Sequence, residues 1–120
     1  MQHEELTRII LAACFEVSNE LGAGFLESVY EKALLLALEQ KGVKAHAQVP
    51  LEVHFRGVVV GAFLADVLVV GKVILELKAV KALLPEHQAQ LINYLKATQM
   101  EVGLLVNFGQ ARLEYKRVYT

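Results

Sequence analysis

Asp66-Val67-Leu68-Val69-Val70-Gly71-Lys72-Val73-Ile74-Leu75-Glu76-Leu77-Lys78 is the stretch whose reading decides the fold. Residues 58–70 are apolar except Asp66, with Gly61 among them, and Glu76 and Lys78 interrupt a second apolar run from residue 73. Gly71-Lys72 reads as a two-residue hairpin turn between two antiparallel strands, 58–70 and 73–79. Strand side chains alternate, so Glu76 and Lys78 point to one face. An ionised group buried among so much Val, Ile and Leu costs several kcal/mol unless it is paired or holds a metal. The residues alone leave an internal ion pair, edge exposure and a metal-dependent catalytic site open. Counting outward from the two-residue turn sets Val70 opposite Val73 and Asp66 opposite Leu77. That register puts Asp66 and Glu76 on opposite faces, and a slip of one residue brings them together.

Upstream of this hairpin, Leu6, Ile9, Ile10, Ala13, Val17 and Leu21 recur at helical spacing and predict an amphipathic helix over 5–21. Gly22-Ala23-Gly24 ends it, and a second helix is expected over 25–41, stopped by Gly42. Within 43–55, Val49, Leu51, Val53 and Phe55 alternate with Pro50, Glu52 and His54, as in a half-exposed strand. Pro50 cannot donate to a ladder, which places this strand at an edge or bends it. Arg56-Gly57 turns the chain into the 58–70 strand, with a bulge expected near Gly61.

Downstream, Pro85 and Glu86 open a third helix reaching about residue 98. Residues 102–107 suit a buried strand, parallel to the meander because a helix precedes it, and 113–118 suit a last strand. The expected architecture is α+β: a mixed sheet, an antiparallel meander plus a further strand after a crossover helix, flanked by helices, in one domain over residues 1–120.

The totals narrow the function classes. Of the 120 residues 55% are hydrophobic and 21% charged, which suits a covered sheet or an apolar surface for self-association. The formal charge is −1, whereas a chain that grips nucleic acid unaided is usually basic. A nucleic-acid role then rests on a local patch, a bound metal or a partner. No uncharged run spans a bilayer, and the start of the chain lacks the layout of a signal peptide, so the expected location is the cytoplasm. Cys14 is the sole cysteine and reads as a packed small hydrophobe.

Besides Asp66, Glu76 and Lys78, Glu27 and Tyr30 stand one turn apart at the start of the second helix. They read alone as a first-turn acid and a partly buried tyrosine. His87, Gln90 and Tyr94 share a face of the third helix, where a polar stripe is ordinarily solvated. His3, His46 and His54 have no partner at ligand spacing. Lys72, Lys81, Lys96, Arg112, Lys116 and Arg117 read as an ordinary charged surface.

Gly24-Phe25-Leu26-Glu27-Ser28-Val29-Tyr30 resembles the signature of the GxxExxY protein family. The likeness continues through Gln48-Val49-Pro50, Ala65-Asp66, residues 73–79, residues 90–95 and residues 103–108. That family is placed in the PD-(D/E)XK nuclease-like superfamily, so the resemblance implies a restriction-endonuclease-like core and a nuclease using Mg²⁺ or Mn²⁺. It implies Asp66 and Glu76 as metal-binding acids, with the Leu77 carbonyl as a further ligand and Lys78 completing the E-x-K pair. Glu27 matches the helical acid of many members, and Gln90 with Tyr94 looks like the Q-x-x-x-Y helix. Tyr30 joins these two as a substrate-side candidate. Leu64 departs from the pattern, since members often carry a basic residue two positions before the aspartate. The resemblance favours the convergent register that hairpin counting does not give. The expected activity is phosphodiester hydrolysis of nucleic acid, with DNA first. A catalytically inactive module binding nucleic acid or a protein partner is the competing reading, and a homo-oligomer is the third.

Overall fold

β-Branched and leucine-rich runs with no charges belong where both faces of a sheet are covered, and the computed structural model, which describes residues 3–120, puts residues 73–75 and 102–106 there but leaves the 58–64 run exposed. The elements follow as α1 (Glu4–Leu21), α2 (Glu27–Gln40), β1 (Ala45–Phe55), β2 (Val58–Val69), β3 (Val73–Lys78), α3 (Pro85–Thr98), β4 (Val102–Asn107) and β5 (Glu114–Tyr119). The five strands form one sheet in the order β1-β2-β3-β4-β5. β3 and β4 pair in parallel across the α3 crossover, and the remaining neighbours are antiparallel. This is the expected α+β architecture with a restriction-endonuclease-like topology.

α1 and α2 cover one face. Ile10, Ala13, Cys14, Tyr30, Leu34 and Leu38 pack there with Val67, Val69, Leu75, Leu77, Leu104 and Val106. α3 covers the other face with Leu91 and Leu95, which meet Ala65, Ile74, Leu105 and Val118. Gly103 lets α3 approach β4: a Cβ there would lie 3.0 Å from a Leu91 methyl. Cys14 is fully buried, and desolvation pushes its thiol up to about 12, so it is the inert core residue expected.

The β2–β3 hairpin corrects the counted register. Val69, not Val70, faces Val73, followed by Leu68 with Ile74 and Val67 with Leu75. The turn is one residue longer than expected. Val70 and Gly71 both sit at positive φ, 55° and 68°, and the Lys72 N–H closes the turn onto the Val69 carbonyl at 2.9 Å. Val70 stays with β1 instead, donating its N–H to the Lys44 carbonyl. A β-branched residue is a poor occupant of the left-handed region, which is why the composition points to Gly71-Lys72 alone. The edge position of β1 and a bulge near Gly61 agree with expectation. Val53 faces Gly61 while His54 faces Val59, leaving Val60 unpaired.

Candidate active site

The one-residue shift decides which side chains meet. Carried one pair beyond Val67–Leu75, the register sets Asp66 across from Glu76 on the α3 side of the sheet. β2 also changes face here: Phe63 and Ala65 pack on the α3 side, whereas Val67 and Val69 pack against α1 and α2. Strict alternation would keep all four together, so the strand twists at Asp66. In β1 the residue between the flanking pairs Ala47–Val67 and Val49–Ala65 is Gln48, itself at φ 52°. The Asp66 carboxylate takes up a backbone donor at this irregularity, its Oδ2 accepting the Leu77 N–H at 2.8 Å.

Glu76 is the strained member. It is 7% exposed, and its Oε1 is buried with no hydrogen-bond partner among the described residues. Desolvation raises its carboxyl from an ordinary 4.5 to about 8, and the charge of Asp66 and a carboxyl–carboxyl hydrogen bond push the same way. Lys78 opposes this rise but does not cancel it. The Lys78 ammonium, on a half-buried residue ending β3, makes no ion pair within 4 Å among the described residues. An internal salt bridge therefore does not account for the charged residues of β3.

α3 brings Tyr94 over the pair. Its ring stacks on Phe63 with centroids 3.7 Å apart and planes 10° from parallel. Burial raises the Tyr94 phenol, helped by the charges of Glu76 and Asp66, while a hydrogen bond with Gln90 acts the other way. Gln90 and Tyr94 thus join the acids and Lys78 on one side of the sheet. His87, from the same helical stripe, instead accepts the Leu84 N–H on Nδ1 at 3.0 Å and caps the helix start.

Two candidates stand apart. Glu27 is exposed in the first turn of α2, and no three His, Cys, Asp or Glu side chains converge on a metal position among the described residues. Tyr30 is fully buried, stacked on Phe108 at 4.7 Å. Its hydroxyl donates to the Gly22 carbonyl at 2.6 Å and accepts the Phe25 N–H at 3.2 Å, so it anchors the loop that leads into Glu27. That leaves Tyr30 no surface to offer a substrate.

Sequence reading also missed Asn107. It is fully buried at the end of β4, level with Lys78 in the parallel register. Its amide brackets Val80, accepting the N–H at 3.0 Å and donating to the carbonyl at 2.9 Å, and it donates to Glu114 Oε1 at 3.0 Å. The chain leaving Lys78 is thereby tied to β4 and β5. The signal was available: an asparagine closing an apolar strand needs buried partners.

A profile of the PD-(D/E)XK nuclease superfamily matches residues 4–118. The chain belongs to the PD-(D/E)XK nuclease superfamily. PD-(D/E)XK nucleases generally use divalent metals. Among solved structures, the crystal structure of SSO0001 superposes with a TM-score of 0.56 at 22% identity, over 77% of this chain and 48% of that one. At that identity the likeness is one of fold, and this chain spans about half of the SSO0001 chain. No curated protein matches.

The donor set of this PD-(D/E)XK chain suits a hard divalent cation. Two carboxylates meet, one carrying a buried oxygen with no partner among the described residues, and a cation there would satisfy that oxygen and remove the need to protonate Glu76. No helix among the described residues is long and apolar enough to cross a membrane.

Proposed function

We propose that the chain is a divalent-metal-dependent phosphodiesterase of the GxxExxY family, acting on nucleic acid and on DNA first. The observation that carries this reading is the buried Oε1 of Glu76, without a hydrogen-bond partner among the described residues, in a carboxyl pair with Asp66 and two residues from Lys78, which makes no ion pair among those residues. Asp66 and Glu76 would hold Mg²⁺ or Mn²⁺, with the Leu77 carbonyl as a further ligand. Such a cation supplies Lewis-acid polarisation of a phosphoryl oxygen. It also adds +2 to a formal charge of −1, making the site attractive to a phosphate backbone.

Lys78 extends from the strand that carries Glu76 and orients the attacking water, stabilising negative charge as it develops. Asn107 fixes the backbone beyond Lys78, which limits how far the ammonium wanders. Gln90 donates toward the phosphate path. Tyr94, held neutral by its raised phenol and kept flat by Phe63, offers an O–H beside the acids. Glu27, implied as a supporting acid by the resemblance, stands apart in the first turn of α2 and is assigned no direct metal contact.

The test is hydrolysis of single- and double-stranded substrates with Mg²⁺ or Mn²⁺, beside Asp66→Ala and Lys78→Ala. Metal-dependent cleavage lost in both variants is the expected result; equal residual activity in all three proteins sinks the assignment. Exposed Glu27 and the two-acid site favour one alternative, a catalytically inactive module that keeps the fold and binds nucleic acid or a protein partner. Metal binding without cleavage would select it.

A further inference from the structure

The two edges of the sheet are built differently. β5 exposes Lys116 and Arg117 and places Glu114 at its start, charges that discourage another strand from pairing there. β1 is protected over its first half only. Gln48 sits at positive φ with its amide 2.7 Å from Glu31, and Pro50 lacks an N–H. From Leu51 to Phe55 nothing blocks the outer edge: there is no proline, glycine or lysine and no positive φ. The adjacent bulge adds its extra residue, Val60, to β2, so β1 itself stays regular. Beyond Phe55 the chain turns at Arg56, φ 50°.

This hairpin end is also where apolar surface gathers. Phe55, Val58, Val59, Val60 and Leu64 are five of the fourteen exposed large hydrophobic residues among those described, which marks it as a contact surface rather than a scatter of single side chains. We propose that residues 51–55 pair antiparallel with the same segment of a second copy of this chain, about a two-fold axis through Val53.

The segment is self-complementary about that centre. Pro50 and the Arg56 turn bound five residues, so pairing sets Leu51 across from Phe55 of the second copy, and Glu52 across from its His54. Phe55, 58% exposed, then reaches the mouth of a groove of about 560 Å³ that Leu51, Lys96, Thr98 and Met100 help to line. Glu52 and His54 lie 3.8 Å apart within one copy, so carboxylate and imidazole alternate across the axis. Isologous pairing of this kind closes on itself and leaves only the charge-bearing β5 edges at the two ends of the joined sheet. The proposal is independent of whether the chain cleaves nucleic acid.

Light scattering coupled to size exclusion, run on the full chain over a concentration series, reads it directly. A mass of twice 13.3 kDa is expected, halved by Phe55→Glu with an unchanged circular dichroism spectrum. In Val53→Cys the two thiols face each other, directly opposed Cβ atoms being about 4.5–5.5 Å apart, so mild oxidation should yield a covalent dimer. The wild type, whose sole Cys14 is buried, should not cross-link. A monomer at every concentration overturns the proposal. A dimer that survives Phe55→Glu without cross-linking through Val53→Cys overturns it in favour of another face. A monomer that loses nucleic-acid binding on Phe55→Glu overturns it too, assigning the hairpin to nucleic acid.

Discussion

β2 is one strand living in two environments. From Val58 to Leu64 it runs along the hairpin with nearly every residue exposed or half-exposed, and from Ala65 to Val69 its odd positions are fully buried between helices. Asp66 stands just past the boundary, where the strand changes face. The contrast between the two halves teaches where an acid can sit near a core. Far out on the hairpin Asp66 would be an ordinary solvated group; one pair further in it would lack any polar neighbour. At the boundary it meets Glu76 while a backbone N–H satisfies its own oxygen. Glu76, on β3, buried except at its last residue Lys78, takes the larger desolvation.

The largest way to sharpen the contrast is through activity. Lys78→Ala and Asp66→Ala should each lower kcat by about 100-fold or more, the usual size for a positioned catalytic group, whereas Val59→Ala should leave it unchanged. Steady-state cleavage of a labelled duplex measures all three.

Next in size is the pH dependence of the metal-free fold. Glu76 titrates near 8 when folded against 4.5 ordinarily, so between those values the native state holds a proton that the unfolded chain has lost. The stability from this group is complete below about pH 4.5 and is lost as pH rises through about 8. At about 1.4 kcal/mol for each pH unit separating the two values, the loss amounts to a few kcal/mol. Urea unfolding in chelator should show stability falling from acid toward pH 8, with the slope abolished in Glu76→Gln.

Smaller effects separate the two halves of β2 directly. Val67→Ala, in the buried half, should cost about 2 kcal/mol, and Val59→Ala, on the hairpin, less than about 0.5 kcal/mol. Equal losses would break the comparison, showing that the hairpin end is packed.

Most of the architecture was legible because its signals are local. The helical spacing of Leu6 to Leu21, the charge-free runs 73–75 and 102–107, Pro50 at an edge and Pro85 at a helix start each act within a few residues. The register at Gly71-Lys72 was not legible. It depends on Val70 adopting a left-handed conformation that its side chain disfavours, held there by a bond to the Lys44 carbonyl just before β1. Asp66, Glu76 and Lys78 stand out by type and spacing, and the family resemblance supplies their roles and those of Gln90 and Tyr94, but only the fold brings the five to one face. Tyr30 went the other way. Read alone as partly buried and placed on the substrate side with the resemblance, it is fully buried, with its hydroxyl bonded to the α1–α2 loop. Asn107 was overlooked because its partners lie 27 and 7 residues away.

In the proposed function, Asp66 and Glu76 together hold one divalent cation. Calorimetric titration of Mn²⁺ into the wild type at pH 7, repeated in buffers of different ionisation enthalpy, tests it most directly. One site is expected, with up to one proton released as Glu76 ionises, and with binding lost in Glu76→Gln. A folded wild type that binds no metal, or a Glu76→Gln variant that binds as well as the wild type, would contradict the claim.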